Sequence, residues 1–462
     1  MAAVTRPPQA AASLPESSST APEIRFVTRL ASSFAKLTLL ALFLAAMALA
    51  HWVKASPPSA MPPASRPAEA PFYATRFEQR PDAATLTTLG RALFSDRSLS
   101  VSGTMSCASC HDPAHAYGPA NRLAVQLGGP QGTLPGLRAV PSLKYRQTIA
   151  PFSERFFDND GNDSADQGPT GGLDWDGRAD SAHEQAAGPL LSPFEMANPD
   201  KEAVLARLQA SPNAAVMRAA FGGHLFDDPH RAWNALVLAL EVFQQSPRDF
   251  YPYDSKYDAF LRHQATLSPR ESRGLALFND AAKGNCASCH ISTVKRGAFP
   301  QFTDAGLIAI GVPRNAAIAA NAKPGFRDLG ACGPLRTDLH GQDKFCGLFR
   351  TPSLRNVALR NVFFHNGVYT RLEDAVRFYA LRDSDPVRVY GKGHRFDDLP
   401  EAYAANLNKE APFGGNPGGR PRLNEAEIAD VVAFLRTLTD GYVVPEHASV
   451  AAAAPAKDSR QP

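Results

Sequence analysis

Two five-residue stretches carry most of the chemistry written in this chain. Cys107-Ala108-Ser109-Cys110-His111 and Cys286-Ala287-Ser288-Cys289-His290 each read C-x-x-C-H. Thiols three positions apart share one helical turn, so each can add to a haem vinyl group while the adjacent His reaches the iron from the proximal side. With 6 cysteines and 12 histidines in 462 residues, composition alone would give roughly 0.002 such matches. A redox dithiol does not need the trailing His, and two C-x-x-C pairs this far apart do not resemble a compact zinc module. The spacing therefore predicts two covalently bound c-type haems.

What a haem does depends on its other axial position: filled, it carries electrons, and open, it binds a small oxidant. A methionine is the usual electron-transfer ligand, but the methionines are Met1, Met47, Met61, Met105, Met196 and Met217, and none follows the second site. The second haem must use another residue. Leu372, Ala375, Val376 and Tyr379 share one helical face, and on spacing alone Tyr379 reads as a packed aromatic with a satisfied hydroxyl. Between Asp112 and Lys144 only His115 has a ligating side chain of the right type, and it lies too close to His111 to loop back over the haem. An open first haem is expected. Cys332 and Cys346 remain, and a disulfide closing their loop would contribute about 2–3 kcal/mol.

The elements around the two sites repeat. Leu89-Gly90-Arg91-Ala92-Leu93-Phe94 precedes the first and Arg273-Gly274-Leu275-Ala276-Leu277-Phe278 the second, which opens on a capping box at Ser268-Pro269-Arg270-Glu271. Asn424 and Glu427 form another box, followed by an apolar stripe of Ile428, Val431, Val432, Leu435 and Leu438 that should pack around the second haem. The fold class expected is mainly α, as two tandem cytochrome-c-like helical haem domains over residues 73–262 and 263–445. Hydrophobic content of 44% against 20% charged residues excludes a disordered or fibrous chain. A balance of 48 basic to 45 acidic residues, net +3, argues against nucleic acid as a partner. Residues 37–50 form an apolar run behind Arg25, Arg29 and Lys36, so residues 1–54 read as a signal peptide or an uncleaved N-terminal anchor. A Pro/Ala-rich linker is expected over 55–72 and a disordered tail over 446–462, with the chain exported to the periplasm.

The motifs together resemble the bacterial di-haem cytochrome c peroxidase and MauG superfamily, in its MauG-like branch with a tyrosine haem ligand. They are LGRALFSDRSLSVSGTMSCASCHDP, RAVPSL at 138–143, WDGRADSAHEQAAGPLLSPFEM at 175–196, GLALFNDAAKGNCASCH, and FRTPSLRNVALRNVFFHNGVYTRLEDAVRFY at 349–379. The resemblance spans about residues 75–443. It implies that the N-terminal haem meets peroxide and the C-terminal haem transfers electrons. It also implies that Gln185 and Glu195 form the distal pair of the first haem, that Trp175 lies between the haems, and that Tyr379 is a tyrosinate ligand of the second iron. Three features depart from the family pattern. No equivalent is found of the His that blocks the peroxide haem in most peroxidases, and Tyr145 replaces the asparagine that helps hold an interhaem calcium ion. The family's Thr-Ala-Pro stretch is here Arg360-Asn361-Val362.

These residue types suit the implied chemistry. Splitting the O–O bond requires a proton moved from the iron-bound oxygen to the leaving oxygen, so a carboxylate such as Glu195 would shuttle it while Gln185 orients peroxide. Trp175 would pass one oxidising equivalent onward, and an anionic Tyr379 would lower the second haem's potential and favour its high-valent states. His365 reads as a structural hydrogen-bonder rather than a ligand. The expectation is a periplasmic enzyme that reduces or uses hydrogen peroxide through high-valent haem states, drawing electrons from a small cytochrome c or copper protein. The first alternative is a MauG-like oxidase that modifies Trp or Tyr of a partner protein. The second is a non-catalytic di-haem electron carrier, which would need both irons six-coordinate.

Overall fold

The computed structural model describes residues 71–154 and 168–445. The signal or anchor over 1–54, the linker up to residue 70 and the tail over 446–462 lie outside the described residues. Those described are mainly helical, with two small two-stranded sheets, and no helix among them is long and apolar enough to cross a membrane.

Each C-x-x-C-H turn is fed by a helix that the sequence caps and stripes. Helix α1 (Ala83–Phe94) starts where the Asp82 side chain accepts from the Thr85 N–H, and it buries Leu86, Leu89, Gly90, Leu93 and Phe94 along one face. In the remainder of the first half follow α2 (Ala182–Leu191), α3 (Lys201–Ala210), α4 (Asn213–Phe221) and α5 (Pro229–Gln244). Helix α6 (Pro269–Asn279) opens on the expected Ser268/Glu271 box. Helices α7 (Leu372–Leu381) and α8 (Glu425–Arg436) complete the second half, α8 behind the Asn424/Glu427 box.

The repeated motif owes its glycine to packing. A Cβ on Gly90 of α1 would come within 2.0 Å of the Ala239 carbonyl oxygen of α5, and one on Gly274 of α6 within 2.0 Å of the Asp430 carbonyl oxygen of α8. The two helix pairs touch backbone to backbone at equivalent points, which only glycine permits. Around them lie two apolar clusters, one running from Leu86 to Phe250 and one from Tyr257 to Leu438, the second holding Ile428, Val431, Val432, Leu435 and Leu438.

Irregular segments tie the halves together. Strands β1 (Leu127–Gly128) and β2 (Leu134–Pro135) form a hairpin, and β3 (Leu307–Ile308) pairs antiparallel with β4 (Phe349–Arg350) in the register Leu307↔Arg350. First-half backbone is threaded into this second sheet: Leu307 N–H donates to Pro169 at 2.8 Å and Arg350 N–H to Trp175 at 2.7 Å. Arg138 ion-pairs with Asp176 at 2.6 Å and with Asp328 at 2.7 Å, all three side chains under 10% exposed. Cys332 and Cys346 form the expected disulfide.

Candidate active site

The two thiol turns are held alike. Cys107–Cys110 is a single helical turn, and the His111 N–H closes it on the Cys107 carbonyl at 2.9 Å. At the second site the His290 N–H reaches the Cys286 carbonyl at 2.8 Å. His111 Nδ1 lies 2.9 Å from the Tyr117 carbonyl oxygen and His290 Nδ1 2.9 Å from that of Phe302. A carbonyl only accepts, so each Nδ1 carries the proton and each Nε2 keeps its lone pair for a metal. Burial lowers both imidazoles to about 4, which keeps them neutral, the state a metal needs.

The second turn opens on a large cavity. Cys286, Cys289 and His290 wall it on one side, and Leu372, Ala375, Val376 and Tyr379, the predicted face of α7, line it as well. Its empty volume, including the open solvent at its mouth, is about 1750 Å³. Space, apolar lining, paired thiols and a metal-ready imidazole fit a covalently bound haem. The Tyr379 ring stacks on Phe413 at 5.5 Å, but its hydroxyl has no hydrogen-bond partner among the described residues. Burial, with Cys289 and Cys286 nearby, pushes the phenol's pKa up, so ionising it requires a metal's charge. His365, read from the sequence as a structural hydrogen-bonder, instead leaves a buried Nε2 without a partner and stacks on Phe349 at 3.5 Å.

Glu195 belongs to the first site. It lies near enough to Cys107 and Cys110 to raise the pKa of both thiols, and its backbone is pinned by the Gly129 N–H of the hairpin at 2.8 Å. The residue is exposed by surface area, yet protein surrounds the carboxyl closely enough that desolvation, followed by the nearby Asp174 charge, raises its pKa to about 7. Buried Gln185, on α2, donates Nε2–H to Asp174 Oδ1 at 3.3 Å, and Asp174 pairs with Arg178 at 3.0 Å. Trp175 is buried between these groups and the second cavity, which it lines, and its Nε1–H donates to the Ala139 carbonyl at 2.7 Å. His115 is held by Asp112, its Nδ1 2.8 Å from Oδ2. Sequence reasoning overlooked Asp174 and Arg178, although both flank Trp175 in the Asp174-Trp175-Asp176-Gly177-Arg178 run, where charges cluster about an aromatic.

A family model described as di-haem cytochrome c peroxidase matches residues 84–266. The methylamine utilization protein MauG of Paracoccus denitrificans is 34% identical over 406 residues, covering 80% of this chain and 92% of that protein. The chain belongs to the di-haem cytochrome c peroxidase family. This peroxidase-family chain also superposes on the crystal structure of the diheme peroxidase BthA of Burkholderia thailandensis with a TM-score of 0.70 and 38% identity, covering 80% of this chain and 90% of that one. The cytochrome c peroxidase Ccp of Escherichia coli is 26% identical over 306 residues, 65% of this chain and 54% of that protein. As a di-haem peroxidase-type oxidoreductase it carries two c-type haems in tandem helical cytochrome-like domains, and it is a hydrogen-peroxide-using enzyme.

Proposed function

We propose that peroxide is reduced at the first haem, held by Cys107, Cys110 and His111, while the second, held by Cys286, Cys289, His290 and Tyr379, passes electrons. The observation that carries this is the asymmetry of the two sites: a carboxylate whose pKa is raised to about 7 beside the first thiol pair, and the Tyr379 phenol lining the cavity of the second. The haem irons supply the redox chemistry when bound.

The chain's own residues do the rest. Ionised Glu195 takes a proton from bound peroxide and returns it to the leaving oxygen, and a pKa of about 7 keeps both directions accessible. Gln185, anchored on Asp174, has its amide oxygen free to accept from peroxide or water. Trp175, fixed through its Nε1–H, is the proposed electron path between the sites. A non-catalytic carrier has no use for Glu195 and Gln185 at an iron.

The electron donor in this reading is a small cytochrome c or copper protein, and the apolar run at 37–50, read as a signal peptide or N-terminal anchor, supports a periplasmic reaction. The similarity to MauG favours a second reading, oxidation of Trp or Tyr side chains of a partner protein. Calcium is not part of the proposed set, because Tyr145 spends its hydroxyl on Asp440 at 2.6 Å and Arg360 donates to the Val362 carbonyl at 3.2 Å. Stopped-flow mixing of the fully ferric enzyme with peroxide tests the reading: reaction without prior reduction supports it, and a need for one-electron reduction refutes the open first haem. Steady-state turnover with small cytochromes, against mass spectrometry of partner proteins, separates peroxidase from oxidase.

A further inference from the structure

The cavity walled by Cys286, Cys289 and His290 is also lined by Arg146, Arg350 and Arg360, none of which is in an ion pair among the described residues. Arg350, 6% exposed, donates Nε–H to the Asp174 carbonyl at 2.9 Å, and neither Nη has a partner among the described residues. Arg146 donates to the Leu143 carbonyl at 3.2 Å and to Gln244 Oε1 at 2.5 Å. Arg360 donates to the Val362 and Val140 carbonyls, both at 3.2 Å. No carboxylate among the described residues forms an ion pair with any of the three.

Other buried arginines here are treated differently. Arg138 is paired with Asp176 and Asp328, and Arg355 with Asp258 at 2.9 Å, the last two side chains 0% exposed. Asp174 acts on Arg146 and Arg350 from a distance, and Asp176 and Asp304 also act on Arg350, but Asp174 is already paired with Arg178 and Asp176 with Arg138 and Arg178. Desolvation lowers all three cavity arginines to about 10, as expected of cations removed from water without a counterion. Such a charge is costly unless an anion completes the site. Leu143, whose carbonyl takes the Arg146 Nε–H, gives its own N–H at 3.3 Å to the Tyr117 carbonyl that also holds His111, and Arg360 Nη1 lies 3.8 Å from where a Cβ of neighbouring Gly118 would sit, so both arginines reach toward the first haem site while lining the second.

A haem brings a pair of propionate carboxylates, the anion that planar guanidinium groups match best. We propose that Arg146, Arg350 and Arg360 form a cationic cradle for haem propionates, with Arg146 and Arg360 shared between the two haems and Arg350 serving the second. This rests on the assignment of His111 and His290 as the haem ligands. A guanidinium on a propionate cancels negative charge near the iron and so stabilises the ferrous state; removing it should shift the potential negative.

The test is spectroelectrochemistry of each haem in the full-length holoenzyme, with intact mass confirming two haems per chain. Arg360→Gln should move both midpoint potentials negative, Arg360→Lys should keep them closer to wild type, and Arg350→Gln should move the second alone. Unchanged potentials in Arg360→Gln and Arg350→Gln would overturn the cradle, and a shift of one haem only in Arg360→Gln would overturn the sharing. If Arg360→Gln does not fold, Arg146→Gln carries the same measurement with the same outcomes. A wild-type chain lacking either haem by mass would refute the underlying haem assignment instead, a result distinct from any of these.

Discussion

Trp175 gives its indole Nε1–H to the backbone carbonyl of Ala139 at 2.7 Å. The Ala139 N–H in turn donates to the His365 carbonyl at 2.7 Å. A single residue, Ala139, thus joins the indole to the segment that lines the second cavity. A carbonyl has no useful basicity, so the indole keeps its proton whatever its charge state, and an electron can pass through Trp175 without a proton having to follow.

Trp175→Phe should therefore slow electron exchange between the haems about tenfold or more while leaving peroxide binding intact. It should also cost about 1–3 kcal/mol, because the buried Ala139 carbonyl loses its donor. Stopped-flow spectra resolving the two haems, alongside chemical denaturation, measure both.

Glu195→Gln should keep both haems and slow peroxide cleavage by about 10²–10⁴. The wild-type rate should fall as pH drops through about 7, since the proton acceptor is the ionised carboxyl. Linkage has the opposite sign. A raised carboxyl pKa contributes stability that is full below the unfolded value near 4.3 and lost as pH rises through about 7. Glu195→Gln should remove both dependences, and a pH–rate profile unchanged in the variant would reassign the shuttle.

Tyr379→Met should raise the second haem's reduction potential and Tyr379→Phe should convert its spectrum from that of an anionic oxygen ligand. In both variants the peroxide-oxidised state should decay faster while the first haem still reacts. A wild-type spectrum in either variant would leave His365, with its unpartnered Nε2 on the same cavity, as the residue to mutate next.

Asp328→Asn should destabilise the fold by about 1–3 kcal/mol, since it removes one of the two carboxylates paired with buried Arg138 and leaves Asp176 as its counterion. Burial alone would raise the Asp328 pKa, but Arg138 overrides it and holds the carboxyl below its usual range. Its contribution is complete above the unfolded pKa near 3.9 and is lost on further acidification. Urea denaturation at pH 7 and at pH 3 should show the variant and wild type converging.

Treatment with a calcium chelator should leave both haem spectra and the potentials unchanged. Lys144, Tyr145 and Asn356 already occupy Asp440, and Arg360 takes the Val362 carbonyl. Loss of activity restored by added calcium would show that a cation site has been overlooked.

The thiol turns, the helices feeding them, their caps and the Tyr379 face were legible because each is written within a dozen residues of chain. The glycine shared by LGRALF and RGLALF was visible as repetition, but its cause was not, since the contact involves a helix some 150 residues away. The unpartnered His365 Nε2 was missed for a related reason. A sequence shows that a polar atom exists, not whether a partner reaches it. Arg146, Arg350 and Arg360 carry no local signal, because an arginine is distinguished as a binding group only by the absence of the acid that would otherwise neutralise it.

Although the chain reads as one unit written twice, it is not modular in the way a tandem repeat is. The stretch around Pro169 and Trp175, supplied by the first copy, completes hydrogen bonds of Leu307 and Arg350 in the second. Arg138 closes a buried charge network with Asp328 across the same seam. Neither copy can reach its final packing before the other is in place, so separately expressed halves should not reassemble a working pair. Duplication supplied the parts, and the exchanged segment made their folding a single cooperative event.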